Sequence, residues 1–144
     1  MLFRSFIPSL DPSGEGSSWK ITIDALSSGS WLLLGIIGNV YPADNNSHKD
    51  STCYAWQTSK YGRHGGSVKE HPSWPGFVQG ECLYFHLQAN KLTMFSVQKN
   101  QKFTIADVTS TDDTKYYIHF NFNTPRIKLT LEPLSRDELA RMRA

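Results

Sequence analysis

A period of two governs most of this chain. Between turn-forming residues, β-branched and aromatic side chains alternate with polar ones, which suits a pleated strand with one buried and one wet face and does not suit a helix. In Trp19-Lys-Ile-Thr-Ile-Asp24 the alternation puts Trp19, Ile21 and Ile23 on one face and Lys20, Thr22 and Asp24 on the other. Arg126-Ile-Lys-Leu-Thr-Leu131 repeats the pattern, with Ile127, Leu129 and Leu131 inward, and Tyr116–Phe122 alternates as cleanly. Glu81–Leu87, a tight turn at Gln88–Lys91 and Leu92–Val97 predict a β-hairpin, followed by a strand over Lys102–Val108. Trp31-Leu-Leu-Leu-Gly-Ile-Ile-Gly38 is continuously apolar, which predicts an internal strand covered on both faces, and Cys53–Gln57 predicts a short strand.

The C-terminus carries a helical signal instead. Ser135-Arg-Asp-Glu138 has the spacing of a capping box, so a short helix is expected over Arg136–Arg143. About eight strands and one helix predict an all-β fold, an antiparallel two-sheet β-sandwich with a short C-terminal helix. At 144 residues one such domain, 1–144, is the expected organisation, with residues 1–18 as an N-terminal extension and the helix at 135–143.

Charge and cysteine content exclude several classes of function. Fifteen Lys and Arg against thirteen Asp and Glu leave a net charge of +2, dispersed along the chain, so nucleic acid is not an expected partner. No apolar run approaches the roughly 20 residues of a membrane-spanning helix, and Ser5, Pro8 and Asp11 interrupt Met1–Leu10 as a signal core. An intracellular protein without membrane insertion is expected. Cys53 and Cys82 form no Cys-x-x-Cys pair and are expected to be buried thiols.

Catalytic and metal constellations fare no better. His48, His64, His71, His86 and His119 show no two-ligand spacing on one element, so no metal is expected, and His86 and His119 read as solvent-facing or hydrogen-bonded strand residues. There is no Gly-x-Ser-x-Gly elbow. Gly62-Arg-His-Gly-Gly66 lacks the lysine and following helix of a phosphate loop, and Asp112-Asp113 reads as an ordinary turn. The expectation is a protein that is not an enzyme and needs no cofactor.

Two polar intervals stand out as long loops, Asn39–Thr52 and Thr58–Gln79. The second gathers Tyr61, Arg63, His64, His71 and Trp74 among glycines and prolines. Tyr, Trp and Arg dominate binding hot spots, since each buries much area while keeping a polar handle, so Tyr61, Arg63, His64 and Trp74 are the candidate partner-binding residues. The competing reading is that Trp74 and Phe77 tuck under the loop and pin it. The first loop, with Tyr41, Asp44, Asn45, Asn46 and His48, is the expected neighbour. A second candidate surface is a sheet face carrying Lys91, Thr93, His119 and Asn121.

Leu34-Gly-Ile-Ile-Gly38, Tyr54-Ala-Trp56, Gly80-Glu-Cys-Leu-Tyr-Phe-His-Leu87 and Lys91-Leu-Thr-Met-Phe95, in that order, resemble a SPRY-like domain of the tripartite-motif C-terminal type over Trp19–Leu131. Glu81 stands where the family usually has Asp, and Met94-Phe95 where it commonly has Phe-Tyr. The resemblance implies a concanavalin-like jelly roll acting as a non-catalytic protein-interaction module. It also implies a partner that is a protein or peptide, and a place in a larger multidomain assembly such as the target-recognition part of a ubiquitin ligase. The alternative is a lectin-like sandwich, with Trp74 or Tyr61 stacking on a sugar ring.

Overall fold

A computed structural model describes residues 9–38, 49–71, 73–109 and 115–144, together with the backbone of 2–3. The strands are β1 (Leu2–Phe3), β2 (Ser17–Ala25), β3 (Leu32–Ile37), β4 (Tyr54–Gln57), β5 (Tyr61–His64), β6 (Ser67–Glu70), β7 (Cys82–Gln88), β8 (Lys91–Ser96), β9 (Gln101–Ile105), β10 (Tyr117–Phe122) and β11 (Lys128–Glu132); one helix, α1 (Arg136–Arg143), follows. They form two antiparallel sheets, ordered β1-β10-β3-β4-β5-β6 and β11-β2-β7-β8-β9. The chain is an antiparallel two-sheet β-sandwich with a short C-terminal helix, as the period of two and the Ser135–Glu138 capping box imply.

The inward sets of both sheets meet in one core. Trp19, Ile21 and Ile23 of β2 pack with Leu83, Phe85 and Leu87 of β7 against Leu32, Leu34 and Ile36 of β3 and Tyr54 and Trp56 of β4. Trp19 lies parallel to Phe85 at 5.4 Å, and Trp56 is tilted on the same ring at 6.3 Å. All six residues of β3 are buried, because the opposite side of this sheet carries a smaller cluster of Leu33, Ile37, Cys53 and Ala55. Gly35 has no room for a side chain: a Cβ there would lie 2.1 Å from the Tyr54 carbonyl oxygen.

Several expectations need correction. Residues Thr58–Gln79 are not one irregular loop, since β5 and β6 form a hairpin inside them and extend the six-stranded sheet to its edge. The glycines read as breakers have specific uses there. Gly65 and Gly66 have φ of 62° and 81°, the two positive values of a type I′ hairpin turn. Gly62 sits where a Cβ would lie 2.4 Å from the Ala55 carbonyl oxygen. The N-terminal extension is also partly strand: Ser17 and Ser18 begin β2, and Leu2–Phe3 pairs with Asn121 and Phe120. Among the described residues the count is therefore eleven strands rather than about eight. Of the two readings of His86 and His119, solvent-facing or hydrogen-bonded, the first does not hold: they are buried, at 7% and 3% exposure, and His86 Nε2 lies 3.4 Å from Gln88 Oε1. Trp31 lies just outside β3, half-buried against the smaller cluster. Tyr41, Asp44, Asn45, Asn46 and His48, and the turn with Asp112 and Asp113, lie outside the described residues.

The helix starts as the capping box requires. Ser135 Oγ accepts from the Glu138 backbone N–H at 3.2 Å, and Glu138 Oε1 accepts from the Ser135 N–H at 2.9 Å. Glu138 Oε2 also takes the Lys20 ammonium at 2.9 Å, which ties the helix to β2. That ammonium and the Ser135 N–H hold the Glu138 carboxyl down at about 2. Met142 then packs on Tyr84 and Phe95, on the outer face of the five-stranded sheet.

One carboxylate is buried completely. Glu81, at 0% exposure, accepts from the Val78 N–H at 3.0 Å and the Ser96 hydroxyl at 2.6 Å, and is paired with the Lys99 ammonium. Removing one partner of such a pair leaves the other charge without compensation. Glu81→Ala is expected to lower unfolding free energy by about 3–5 kcal/mol in urea denaturation. A loss under about 1 kcal/mol would contradict this reading of the cluster.

Candidate binding site on the outer face of β4, β5 and β6

Alternation along β5 sorts the candidate residues. Register places Arg63 opposite Ala55 on β4 and Val68 on β6, and Tyr61 opposite Glu70, so Tyr61 and Arg63 share the face turned away from the main core. Gly62 and His64 point the other way, opposite Trp56 and Tyr54.

On the outer face, Tyr61 is 37% exposed. The Lys60 ammonium stands 5.6 Å from its ring centre and pairs with Glu70 at 2.9 Å. Both charges of that pair are about half exposed, so it contributes less than about 1 kcal/mol to stability. Arg63 is held more firmly. Its Nη1 donates to the Gly66 carbonyl at 3.2 Å, while its Nε is buried and makes no hydrogen bond. Gln57 Oε1, also buried, accepts none. Two polar atoms on neighbouring strands are thus desolvated and unsatisfied, which costs free energy.

His64 faces the core side of β5 and is half-buried. Its ring meets Tyr54 edge-on at 5.3 Å, and its Nδ1 makes no hydrogen bond. His71 closes the same corner with its ring against Trp56 at 6.3 Å and an unbonded Nε2. Burial, reinforced by the Lys69 charge, lowers the pKa of both rings.

Trp74 is corrected outright as a contact residue. It is 0% exposed, its Nε1 donates to the Gln57 carbonyl at 2.8 Å, and Phe77 and Phe103 meet its ring edge-on at 4.8 and 4.9 Å. It pins residues 71–80 to the sandwich, the competing reading of the sequence. The structure thus brings Tyr61 and Arg63 together, turns His64 inward and removes Trp74 from the surface. It adds Gln57, Val68 and Glu70, which sequence reasoning missed. The available signal was the pair of alternations, Tyr61-x-Arg63 and Val68-x-Glu70, on either side of Gly65-Gly66.

The second candidate surface divides as well. Lys91 is exposed and Thr93 half-buried on the five-stranded sheet, whereas His119 and Asn121 are buried in β10 on the other sheet. Burial pushes the Cys53 thiol up to about 12, a poor state for a nucleophile. Among the described residues no group of three or more His, Cys, Asp or Glu is placed to hold a metal ion. No helix among them is long and apolar enough to cross a membrane.

No family model matches the chain, and no curated protein matches it either. Among solved structures it is similar to galectin-Ib of Xenopus laevis, at 16% identity over 78% of this chain and 98% of that one, with a TM-score of 0.36. A likeness at that score carries no argument about ligands, and the strand pairing described above defines the sandwich by itself.

The two histidines predict a pH dependence of stability. Their folded pKa values lie below the ordinary 6.5, so below that pH the unfolded chain binds more protons than the folded one. Stability therefore rises with pH up to about 6.5 and levels off above about 7.5. The urea midpoint is expected to climb between about pH 5 and 7, and less steeply in a His64→Phe, His71→Gln variant. A midpoint that falls over this range would contradict the assignment.

Proposed function

We propose that this chain is a non-catalytic binding module that takes an extended peptide segment of a protein along β6. The observation that carries the reading is the state of that edge. Among the described residues β6 pairs only with β5, all four of its residues are exposed, and Val68 stands 59% exposed beside Tyr61 and Arg63. The two-residue turn makes His64 and Ser67 a hydrogen-bonded pair, so Arg63 and Val68 form a non-bonded one, and the Val68 N–H and C=O point out of the sheet. A peptide strand added there gains main-chain hydrogen bonds, while the outer face of β5 reads its side chains. Tyr61 supplies apolar area, and Arg63 supplies a donor held in place before the ligand arrives.

The resemblance to SPRY-like domains supports a protein partner and, with it, an intracellular role selecting targets for a larger assembly of the ubiquitin-ligase type. A carbohydrate is the second reading. It is favoured by the exposed Tyr61 ring with the paired charges of Lys60 and Glu70 beside it, a setting in which a sugar ring can stack while its hydroxyls find polar partners.

The test is a random-peptide display selection beside a glycan array, followed by variants. Tyr61→Ala and Arg63→Ala are each expected to weaken the selected peptide by about tenfold. Val68→Pro removes the outward N–H and spares the β5 pairing, and is expected to abolish strand addition with the fold intact by circular dichroism. Peptide binding indifferent to Val68→Pro would overturn the strand-addition reading. Glycan capture lost in Tyr61→Ala, with no peptide selected, would replace it by the second.

A further inference from the structure

The far side of the molecule carries a polar groove that the β6 reading does not use. On the outer face of the five-stranded sheet, beside the last turn of α1, His86, Gln88, Thr93, Lys102, Thr104 and Arg143 line a cavity of about 290 Å³. It runs into a second of about 440 Å³, which shares His86, Gln88 and Thr93 and extends past Lys91 and Asn90 to Ser13 and Gly14. Register explains the assembly: His86 pairs with Thr93 and Thr93 with Thr104, three side chains in one row across β7, β8 and β9.

Three features of this row fit an anion. Lys102 and Arg143 flank it, and among the described residues neither pairs with an Asp or Glu side chain. Lys102 Nζ gives one hydrogen bond to the main-chain oxygen of Ala144 at 3.1 Å, and Arg143 Nη2 one to that of Glu15 at 3.3 Å. Three hydrogens on the ammonium and five on the guanidinium leave most donors free. The floor between them is hydroxyl and imidazole: Thr93, Thr104, and His86, which is 93% buried by its 7% exposure and whose Nδ1 makes no hydrogen bond. Among the described residues no Asp or Glu side chain lines either cavity.

The geometry points to a binding site for a small phosphate or sulfate monoester, whose tetrahedral oxyanion sits between Lys102, Arg143 and Thr104 while a hydroxylated body lies along Gln88 and Asn90. Lysine and arginine bind such an oxyanion by charge-assisted hydrogen bonds, and hydroxyl and amide groups match a polyol better than an apolar tail. The site is independent of β6 and stands whether or not a peptide binds there.

The experiment titrates the full chain with glucose 6-phosphate, glucose 6-sulfate and glucose, following backbone amide shifts by NMR. Saturable binding of either ester is expected, with shifts at His86, Thr93 and Thr104 and none from glucose. Lys102→Ala and Arg143→Ala, both at the surface, are expected to weaken it about tenfold each with the amide spectrum otherwise preserved, whereas Tyr61→Ala leaves it unchanged. Stronger binding of the phosphate ester assigns the site to a dianion, and of the sulfate ester to a monoanion. Equal response to glucose, indifference to both charge variants, or no saturation by about 10 mM of either ester would overturn the proposal.

Discussion

A carboxylate that water cannot reach must be neutralised by its neighbours, and in this sandwich those neighbours tie distant segments together. Glu81 immediately precedes β7 and is met by Val78 before it, by Ser96 at the end of β8 and by Lys99 in the following turn. Lys99 in turn lies 4.8 Å from the centre of the Trp74 ring, whose N–H reaches the Gln57 carbonyl at the end of β4. One chain of contacts therefore runs from the five-stranded sheet, through residues 71–80, to the six-stranded sheet. Each link depends on the last, because the Lys99 charge is fixed by Glu81 and in turn fixes the indole face.

This chain of contacts decides what the neighbouring hairpin can do. With Trp74 sunk between Phe77 and Phe103, the chain after β6 is anchored to the core, and β5 and β6 extend the six-stranded sheet. Tyr61 and Arg63 are then presented from a strand, where alternation fixes their direction, rather than from a loop that must be ordered on binding. The closely packed Gly62 and the Gly65-Gly66 turn are the local devices that form this hairpin.

The fold was legible wherever one face is dry and the other wet. β2 and β11 show the alternation openly, β3 shows the continuous apolar run of a strand covered on both sides, and the Ser135–Glu138 capping box forms as its spacing requires. β5 and β6 were not legible, for a physical reason. An edge hairpin whose second strand is wholly exposed needs no apolar alternation, and its glycines serve close packing and a tight turn while resembling loop punctuation. The candidate site was half legible. Residue type picked out Tyr61 and Arg63, but only register shows that they share a face, that His64 opposes them and that Trp74 lies inside. Glu81 appeared in the sequence only as a departure from a family pattern, and nothing local marks it as the buried anchor.

The central claim is that residues 58–79 are a folded part of the sandwich held by Trp74. Hydrogen exchange followed by NMR at the Trp74 indole N–H and at the amide of His71, which bonds the Lys60 carbonyl, tests it directly. Both hydrogens are expected to exchange as slowly as core amides of β3 and β7, because opening them requires breaking the contacts around Glu81. Exchange at the rate of an unprotected loop, with the core amides still protected, would contradict the account.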